Sequence, residues 1–419
     1  MPRVAIIGGG ISGIAAAHAC QDFAEVTLFE ANSRLGGHAN THVLLVDGRA
    51  QAVDSGFIVF NRRNYPLFSD WLDALGVATQ PTEMSFGVAT ADGLEYGTSS
   101  LGALFCQRRN RIRPAFARML RDIVRFYGQA PSIIDSDPRP LAGFLQAEGY
   151  SKTFAEDHLM PMCAALWSAP AERAWELPIG HVAAFMTHHG LTRLRNRPQW
   201  EVIGGGSQAY VTAFRSAFKG ELRTGHAVDA VRRDALGVTV AAERGNERFD
   251  YAILACHSDE ALALIDATAD ERSVLGAIAY QPNRAVLHSD ASVMPERRAA
   301  WSSWNVRADA QGRLTFTYWM NRLQGLDAQR PFLVTLNPIG ELRDTWLACE
   351  YRHPIFSVGA HAAKARLSEI SGRQRTFYCG AYWGWGFHED GFRSGLQAAR
   401  QLRGQCHADR APIQCGTAP

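Results

Sequence analysis

The stretch from Val4 to Gly13, VAIIGGGISG, decides the fold of this chain. A short apolar run leads into glycines with G-x-G-x-x-G spacing, and alanine-rich residues follow them. Gly8 permits a tight turn, Gly10 permits close approach of the backbone to a pyrophosphate, and Gly13 permits close helix packing. The start of the following helix offers free N–H groups and positive partial charge to that pyrophosphate. The motif predicts a Rossmann-type α/β domain that binds an adenine dinucleotide.

The residues after the second apolar run narrow the choice of dinucleotide. Glu30 ends that run, 17 residues after Gly13, and its carboxylate can accept hydrogen bonds from a ribose. Residues 30–38, EANSRLGGH, resemble the E-x-x-x-R-x-G-G extension of the flavin amine oxidase superfamily, which includes amine oxidases, protoporphyrinogen oxidases and carotene desaturases. In that resemblance Arg34 neutralises pyrophosphate charge. It predicts FAD as the cofactor, with a bare NAD-binding turn as the alternative.

A second informative stretch lies near the C-terminus. Residues 379–395, CGAYWGWGFHEDGFRSG, resemble the C-terminal flavin motif of the same superfamily. There a glycine ends a strand, and a helix that we predict from about Glu389 to Arg403 points its N-terminus at the isoalloxazine. Helix N–H groups can stabilise the negative charge that hydride arrival leaves on the ring. The alternative is an ordinary capped helix at the end of the domain.

These motifs give the candidate site residues. The predicted FAD-binding residues are Gly8, Gly10, Ile11, Ser12, Gly13, Glu30, Ala31, Arg34, Gly36, Gly37, His38, Gly56, Gly380, Glu389, Gly391 and Phe392. No catalytic residue is fixed by the sequence, and the candidates are His38, His388 and Tyr382. The cysteines are scattered without a C-x-x-C pair, so no metal site is expected.

Two departures from amine oxidases bear on the chemistry. Amine oxidases usually carry an acid shortly after the strand-ending glycine, whereas Ala381 and Tyr382 stand there in this chain. Amine oxidases also commonly place a lysine near flavin N5, and residues 270–363 contain no lysine. The first departure leaves no acid to hold the ribityl chain of the flavin, and the second argues against an oxygen-using amine oxidase without excluding it.

A narrower resemblance spans most of the chain. Residues 35–41, 54–61, 161–168 and 382–391 are similar to bacterial predicted NAD/FAD-binding proteins that are associated with cyclopropane-fatty-acid-synthase-type methyltransferases. The resemblance implies FAD and suggests an acyl-lipid substrate, with a lipid methyltransferase as a partner.

The order of the segments predicts a discontinuous two-domain protein. We predict an FAD-binding domain from residues 1–60, 200–270 and 371–405, with a small antiparallel meander between about 227 and 249. Residues 250–256 should be a buried strand that returns to the main sheet of this domain, and residues 376–380 should belong to its third piece. Residues 61–199 and 271–370 should form a mixed α+β substrate domain, in which aromatic residues near 301–319 line a pocket or simply fill a core. Residues 406–419 should form a loose tail.

Composition sets the remaining expectations. The chain has 419 residues and a formal net charge of +2, which gives no drive toward nucleic acid. No apolar run is long enough for a membrane span and no signal peptide is visible, so we expect a cytoplasmic protein. Residues 108–125 combine seven arginines with apolar residues at helical spacing, Val124 among them, with Arg118, Arg121 and Arg125 on the polar face. Such a helix can bind the inner membrane surface, or it can be a domain helix with a solvated basic face.

The predicted function is an FAD-dependent oxidoreductase that transfers hydride from a hydrophobic, acyl-lipid-like substrate to flavin N5. One alternative is an amine or porphyrinogen oxidase. Another is a flavoprotein partner of a lipid methyltransferase without redox turnover. Substrate-dependent flavin bleaching separates the enzymes from the partner.

Overall fold

The computed structural model describes residues 1–134, 136–167 and 171–410. The chain divides into two compact units. The first unit contains residues 1–37, 210–279 and those from 359 onward, and the second contains residues 38–209 and 280–358. These boundaries differ from the predicted segments: residues 38–60 and 200–209 fall in the second unit, and residues 271–279 and 359–370 fall in the first. The cofactor and substrate roles of the segments stay predictions.

The first unit is built on a five-stranded parallel sheet. In sheet order the strands are Thr376–Tyr378, Tyr251–Leu254, Arg3–Ile7, Glu25–Glu30 and Glu221–Thr224. The three central strands are almost wholly buried and apolar, as expected for a parallel sheet covered on both faces. The predicted return of residues 250–256 and 376–380 to this sheet is confirmed.

An antiparallel meander and several helices complete the first unit. The meander contains Val228–Arg233, Val238–Ala242 and Gly245–Phe249, as predicted. The helices are Ile11–Cys20 (the first helix), Gln208–Ala217 from Tyr210 on, Ser258–Leu264, Ala269–Leu275, Val358–Lys364 from Gly359 on, Leu367–Ile370 and His388–Arg410 (the last helix).

The last helix is longer than the predicted 389–403. It begins at His388 and continues to Arg410, so residues 406–410 are helical where we predicted a loose tail. Leu402 and Cys406 lie four residues apart and are both buried, which extends the apolar side of the helix into the predicted tail. The rest of the predicted tail, residues 411–419, lies outside the described residues.

The second unit contains a seven-stranded mixed sheet. In sheet order its strands are Thr345–Pro354, Tyr280–His288, Leu333–Leu336, Leu314–Trp319, Trp304–Ala308, Phe86–Ala89 and Glu95–Gly97. Two short ribbons accompany it: Thr41–Val46 with Arg49–Asp54, and Thr79–Thr82 with Trp200–Ile203. The predicted aromatic segment forms cross-strand pairs, such as Trp304 against Tyr318 with ring centroids 5.1 Å apart.

The helices of the second unit are mostly short. They are Pro66–Ala74, Leu101–Leu104, Pro114–Gln129 (the arginine helix), Leu141–Ala147, Lys152–Phe154, Met160–Leu166, Ala171–Trp175, Ile179–His188 and Met320–Leu323. No helix among the described residues is long and apolar enough to cross a membrane.

The predicted amphipathic helix over 108–125 is wrong in its first part. Residues Arg108–Arg111 form a 3-10 turn, and the arginine helix starts at Pro114, whose missing N–H suits a first helical turn. Arg118, Arg121 and Arg125 lie on the exposed side as predicted. Val124, which we expected on the apolar face, is 53% exposed because it lies between Arg121 and Arg125 on the helix surface.

Candidate functional site

The glycine turn after the first strand is shaped by the backbone around it. A Cβ on Gly8 would lie 2.8 Å from the carbonyl oxygen of Ala255, and a Cβ on Gly13 would lie 1.8 Å from the carbonyl oxygen of Gly8. Gly10 differs, because a Cβ there would meet no protein atom within 4 Å, and its φ of −75° suits any residue. The protein's own packing therefore does not require a glycine at position 10, and the space beside it is open to a ligand.

The Glu30 carboxylate holds the turn in place. It is buried, and its Oε2 accepts from the backbone N–H of Gly9 at 2.8 Å. Its Oε1 accepts from the backbone N–H of Asn32 at 2.8 Å and from Nδ2 of Asn32 at 2.7 Å. Because a carboxylate offers about four lone-pair sites, these contacts leave capacity for a ribose hydroxyl. The ribose role of Glu30 stays a prediction, and the neighbouring Ala31 is exposed.

The Arg34–Gly37 extension folds back onto the turn. The backbone N–H of Gly36 donates to the carbonyl oxygen of Gly9 at 2.8 Å. Arg34 donates from Nη2 to the carbonyl oxygen of Gly37 at 2.9 Å. Gly37 has a φ of +57°, and a Cβ there would lie 3.2 Å from the Cα of Gly10. The extension therefore brings a guanidinium, with further donors, close to the open space at Gly10.

The last helix packs against the first helix through glycines. A Cβ on Gly391 would lie 2.8 Å from Cγ2 of Ile11 and 2.9 Å from Oγ of Ser12. A Cβ on Gly395 would lie 2.2 Å from the carbonyl oxygen of Ser12. We predicted that Gly391 allows approach to the cofactor, and the structure shows that it allows approach to the first helix. The N-termini of the two helices therefore meet, and their positive partial charges add at one place.

The loop that leads into the last helix is fixed by a carboxylate and a lysine. Oδ2 of Asp390 accepts from the backbone N–H groups of Trp385 at 3.0 Å and Phe387 at 3.1 Å. Lys364 Nζ donates to the carbonyl oxygen of Gly384. Burial raises the pKa of Asp390 and lowers the pKa of Lys364 to about 8. These contacts set where the last helix begins.

The other predicted residues of this stretch are buried in the structure. A Cβ on Gly380 would lie 2.1 Å from the ring of Tyr382, so the strand must end in glycine for that ring to fit. Tyr382 is 2% exposed, and its ring centroid lies 5.0 Å from that of Trp383. Phe392 and Glu389 are also buried. Tyr382 lies in the 3-10 turn Ala381–Trp383, and Glu389 and Phe392 lie near the start of the last helix. Their cofactor and catalytic roles stay predictions.

His388 is a buried, hydrogen-bonded histidine at the start of the last helix. Its Nε2 lies 2.9 Å from the hydroxyl of Tyr210, and burial lowers its pKa to about 3. The ring is therefore neutral near pH 7. It can take part in hydrogen bonds, but it cannot act as an acid in the imidazolium form. Its catalytic candidacy stays a prediction.

His38 and Gly56 lie together in the second unit. A Cβ on Gly56 would lie 2.1 Å from the carbonyl oxygen of His38, and the backbone N–H of Phe57 donates to that oxygen at 2.8 Å. The His38 ring packs edge-on against Tyr351 and His353, with centroids 5.0 and 5.2 Å away. The structure thus explains Gly56 by backbone packing. A cofactor contact for either residue stays a prediction.

A buried carboxylate centre in the second unit was not predicted from the sequence. Asp54 accepts from Thr41 Oγ1 at 2.6 Å, from Ser207 Oγ at 2.7 Å and from Gln324 Nε2 at 2.9 Å. Burial raises its pKa to about 6. Only the short motifs at 54–57 and 204–207 hinted at it, because its partners lie far apart in sequence. Among the described residues, no three His, Cys, Asp or Glu side chains are placed to hold a metal ion.

Four buried histidines should make the protein acid-sensitive. Burial lowers the pKa of His158 and His388 to about 3, and that of His189 and His288 to about 4. Below about pH 6.5 the unfolded chain binds protons that the folded chain does not, so each histidine should remove about 1.4 kcal/mol of stability per pH unit. Three carboxyls act in the opposite direction because burial raises the pKa of Asp54 and Asp157 to about 6 and also raises that of Asp390.

Thermal unfolding at pH 7.5 and pH 5.5 tests this balance. We expect a lower melting temperature at pH 5.5, and a smaller drop for His288→Gln than for the wild type. His288 accepts at Nδ1 from the backbone N–H of Asp290 and contacts Thr335 Oγ1 through Nε2, so glutamine keeps polarity without a titrating ring. Equal drops in both proteins would show that His288 is not the cause.

The residues of the first unit fit FAD. The open space at Gly10, the two helix N-termini, Arg34 and Glu30 can hold the pyrophosphate and ribose of a dinucleotide. When bound, FAD supplies the capacity to accept a hydride. The chain would hold the cofactor in position and would place positive charge beside its pyrophosphate.

Comparison with known proteins finds solved structures of similar fold. No curated protein matches the sequence. Cyclohexylamine oxidase from Brevibacterium oxydans is 17% identical, with a TM-score of 0.70 over 97% of this chain and 99% of that chain. Putrescine oxidase bound to putrescine is 15% identical, with a TM-score of 0.69 over 96% and 99%. A conjugated-linoleic-acid-producing fatty acid isomerase from P. acnes is 13% identical, with a TM-score of 0.66 over 96% and 98%.

These structural likenesses confirm the predicted amine oxidase-like fold. The model of the family described as flavin containing amine oxidoreductase matches residues 11–287, which is more than half of the chain. The chain therefore belongs to the flavin containing amine oxidoreductase family and is an FAD-dependent oxidoreductase.

Proposed function

We propose that the substrate is a hydrophobic, acyl-lipid-like molecule and that the reaction is a dehydrogenation. A hydride leaves one acyl carbon for flavin N5 and a proton leaves the neighbouring carbon, so that a carbon–carbon double bond forms. The observation that carries the proposal is the placement of the three lysines of the chain.

None of the lysines is a buried residue of the second unit. Lys152 is the only lysine in that unit, and its side chain is 81% exposed beside Glu156. Lys219 is exposed in the first unit. Lys364 donates to the backbone at Gly384 and so serves the loop before the last helix. An oxygen-using amine oxidase of this family would be expected to have a lysine near N5 of the flavin. The placement of the three lysines therefore favours a dehydrogenase that passes its electrons to an acceptor other than oxygen.

Two further points support an acyl substrate. One fold neighbour is by name a fatty acid isomerase, so this fold can serve fatty acyl chemistry. The sequence also resembles proteins associated with lipid methyltransferases, and we propose such a methyltransferase as a partner. Amine oxidation is the second candidate, because two fold neighbours are by name amine oxidases.

An anaerobic single turnover tests the proposal. Holoprotein would be mixed with detergent-solubilised phospholipid, putrescine, cyclohexylamine or protoporphyrinogen, each in a separate reaction. The visible flavin absorbance and the mass of the recovered acyl chain would be measured. We expect bleaching with the phospholipid alone, and an acyl product that has lost two hydrogens.

The contrary outcomes are distinct. Bleaching by an amine or by the porphyrinogen, but not by the lipid, would replace the proposal with the corresponding oxidase. No bleaching by any donor, in a protein that dithionite reduces normally, would favour a flavoprotein partner without redox turnover.

A further inference from the structure

We propose that the second unit docks on an anionic lipid bilayer through a surface that we call the basic face. It consists of the exposed residues Leu101, Arg108, Arg109, Arg111, Ile112, Arg118, Arg121 and Val124. The idea that an acyl substrate enters through this face rests on the proposed function. The binding of the face to a bilayer does not depend on that function.

The charge of the basic face is not cancelled by its surroundings. Residues 108–125 contain seven arginines and one acid, Asp122. Asp122 is buried and accepts from the backbone N–H of Ser151 at 3.0 Å, although its Oδ1 also lies 3.6 Å from Arg121. Nearby carboxylates pair with two other arginines: Asp92 with Arg113 at 2.6 Å and Glu148 with Arg125 at 3.8 Å. In the described part of the chain, no carboxylate lies within ion-pair distance of Arg108, Arg109, Arg111 or Arg118.

A hollow beside the 3-10 turn can take an anionic headgroup. It has a volume of about 570 Å³ and is lined by Arg108, Arg109, Arg297 and the acid Glu296, among others. Arg109 donates to the carbonyl oxygen of Gly93, which fixes its guanidinium at the wall. Arg297 is held by Glu95 at 2.9 Å. Arg297 is thus paired with a carboxylate, and the guanidinium groups of Arg108 and Arg109 supply the positive charge that suits a phosphate-bearing ligand.

Exposed aliphatic side chains distinguish a bilayer from other anionic partners. Ile112 is 84% exposed, Leu101 is 77% exposed and Val124 is 53% exposed. Ile112 directly follows the 3-10 turn, Val124 lies on the arginine helix, and Leu101 begins the short helix Leu101–Leu104 that precedes them in the chain. At a bilayer interface, aliphatic side chains enter the acyl boundary while arginines stay with the phosphates. A nucleic acid backbone would use the arginines but would leave the aliphatic side chains in water.

Vesicle binding by the holoprotein tests the proposal. We would compare vesicles of phosphatidylcholine alone with vesicles of equal parts phosphatidylcholine and phosphatidylglycerol. The test variant is Arg108→Gln, Arg111→Gln, Arg118→Gln. The matched control removes the same charge from exposed arginines elsewhere: Arg63→Gln, Arg195→Gln, Arg400→Gln.

The wild type should bind only the anionic vesicles, and added salt should weaken the binding. Each arginine should contribute about fivefold, so the test variant should bind roughly a hundredfold more weakly, while the control should lose far less. Ile112→Ser should weaken vesicle binding and leave binding to duplex DNA unchanged.

Three results would overturn the docking proposal. The first is that the wild type does not bind anionic vesicles, and the second is that the test variant binds them as well as the wild type does. The third is that the wild type binds DNA tightly and the test variant does not, while Ile112→Ser still binds vesicles normally. Flavin bleaching by detergent-solubilised phospholipid tests the proposed function separately, because it does not require vesicle binding. The test variant should bleach like the wild type, whereas failure of bleaching in both proteins would count against the substrate and leave the vesicle result standing.

Discussion

Gly10→Val should fold normally and should purify without FAD. The Cβ of a residue at position 10 would meet no protein atom within 4 Å, and the backbone there is in an ordinary extended conformation. The added side chain would fill the space that we assign to the pyrophosphate. The displaced pyrophosphate would lose charge-assisted hydrogen bonds that are worth about 1.5–3 kcal/mol each. Bound flavin, measured after gel filtration, should be absent, while the far-ultraviolet circular dichroism should match that of the wild-type apoprotein.

Gly13→Val is the matched comparison, because it adds the same side chain three residues later. Its Cβ would lie 1.8 Å from the carbonyl oxygen of Gly8, which is backbone and cannot move aside. This variant should lose the fold itself and accumulate as insoluble protein. A soluble Gly10→Val protein with a full complement of FAD would contradict the assignment of the site.

Gly391→Val should lower the midpoint potential of the flavin and weaken sulfite binding. A Cβ at position 391 would lie 2.8 Å from Cγ2 of Ile11 and 2.9 Å from Oγ of Ser12, so a valine there should push the N-terminus of the last helix away from the first helix. Their positive partial charge would then act less on the anionic ring of the reduced or sulfite-bound flavin. A loss of about 1.4 kcal/mol of this stabilisation is roughly tenfold in sulfite affinity.

Gly404→Val on the same helix is the control. A Cβ at position 404 would meet no atom within 4 Å, and the residue is exposed. This variant should keep the wild-type potential and sulfite affinity. If Gly391→Val still binds FAD and shows the same two values as Gly404→Val, then the N-terminus of the last helix does not act on the ring.

The sequence predicted the parts of the site that local spacing determines. Gly8 and Gly13 are required by backbone contacts within a few residues or with an adjacent strand, and the motif spacing already implies such contacts. The meander and the returning strands followed from short alternating or apolar runs. The last helix was also predicted from the sequence, but its C-terminal end was placed too early. The helix continues past residue 403 because Leu402 and Cys406 are buried, and burial depends on the tertiary structure.

The remaining parts depend on contacts between distant residues. Gly391 was assigned to the flavin, and only the structure shows that Ile11 and Ser12 are its neighbours. The Asp54 centre joins Thr41, Ser207 and Gln324, and no local pattern relates those positions. Val124 was assigned to the apolar face by its hydrophobicity, and its exposure follows from the orientation of the arginine helix. The types of these residues alone do not show which distant residues they contact or whether they are exposed.

The most direct test of the account is the flavin content of the wild-type chain. The protein would be purified without added cofactor, passed over a gel-filtration column with excess NAD⁺, and then denatured so that the released flavin can be identified and counted. The account predicts one FAD per chain that NAD⁺ does not displace. A chain that purifies without flavin, and that binds NAD⁺ but not FAD when both are offered, would contradict it.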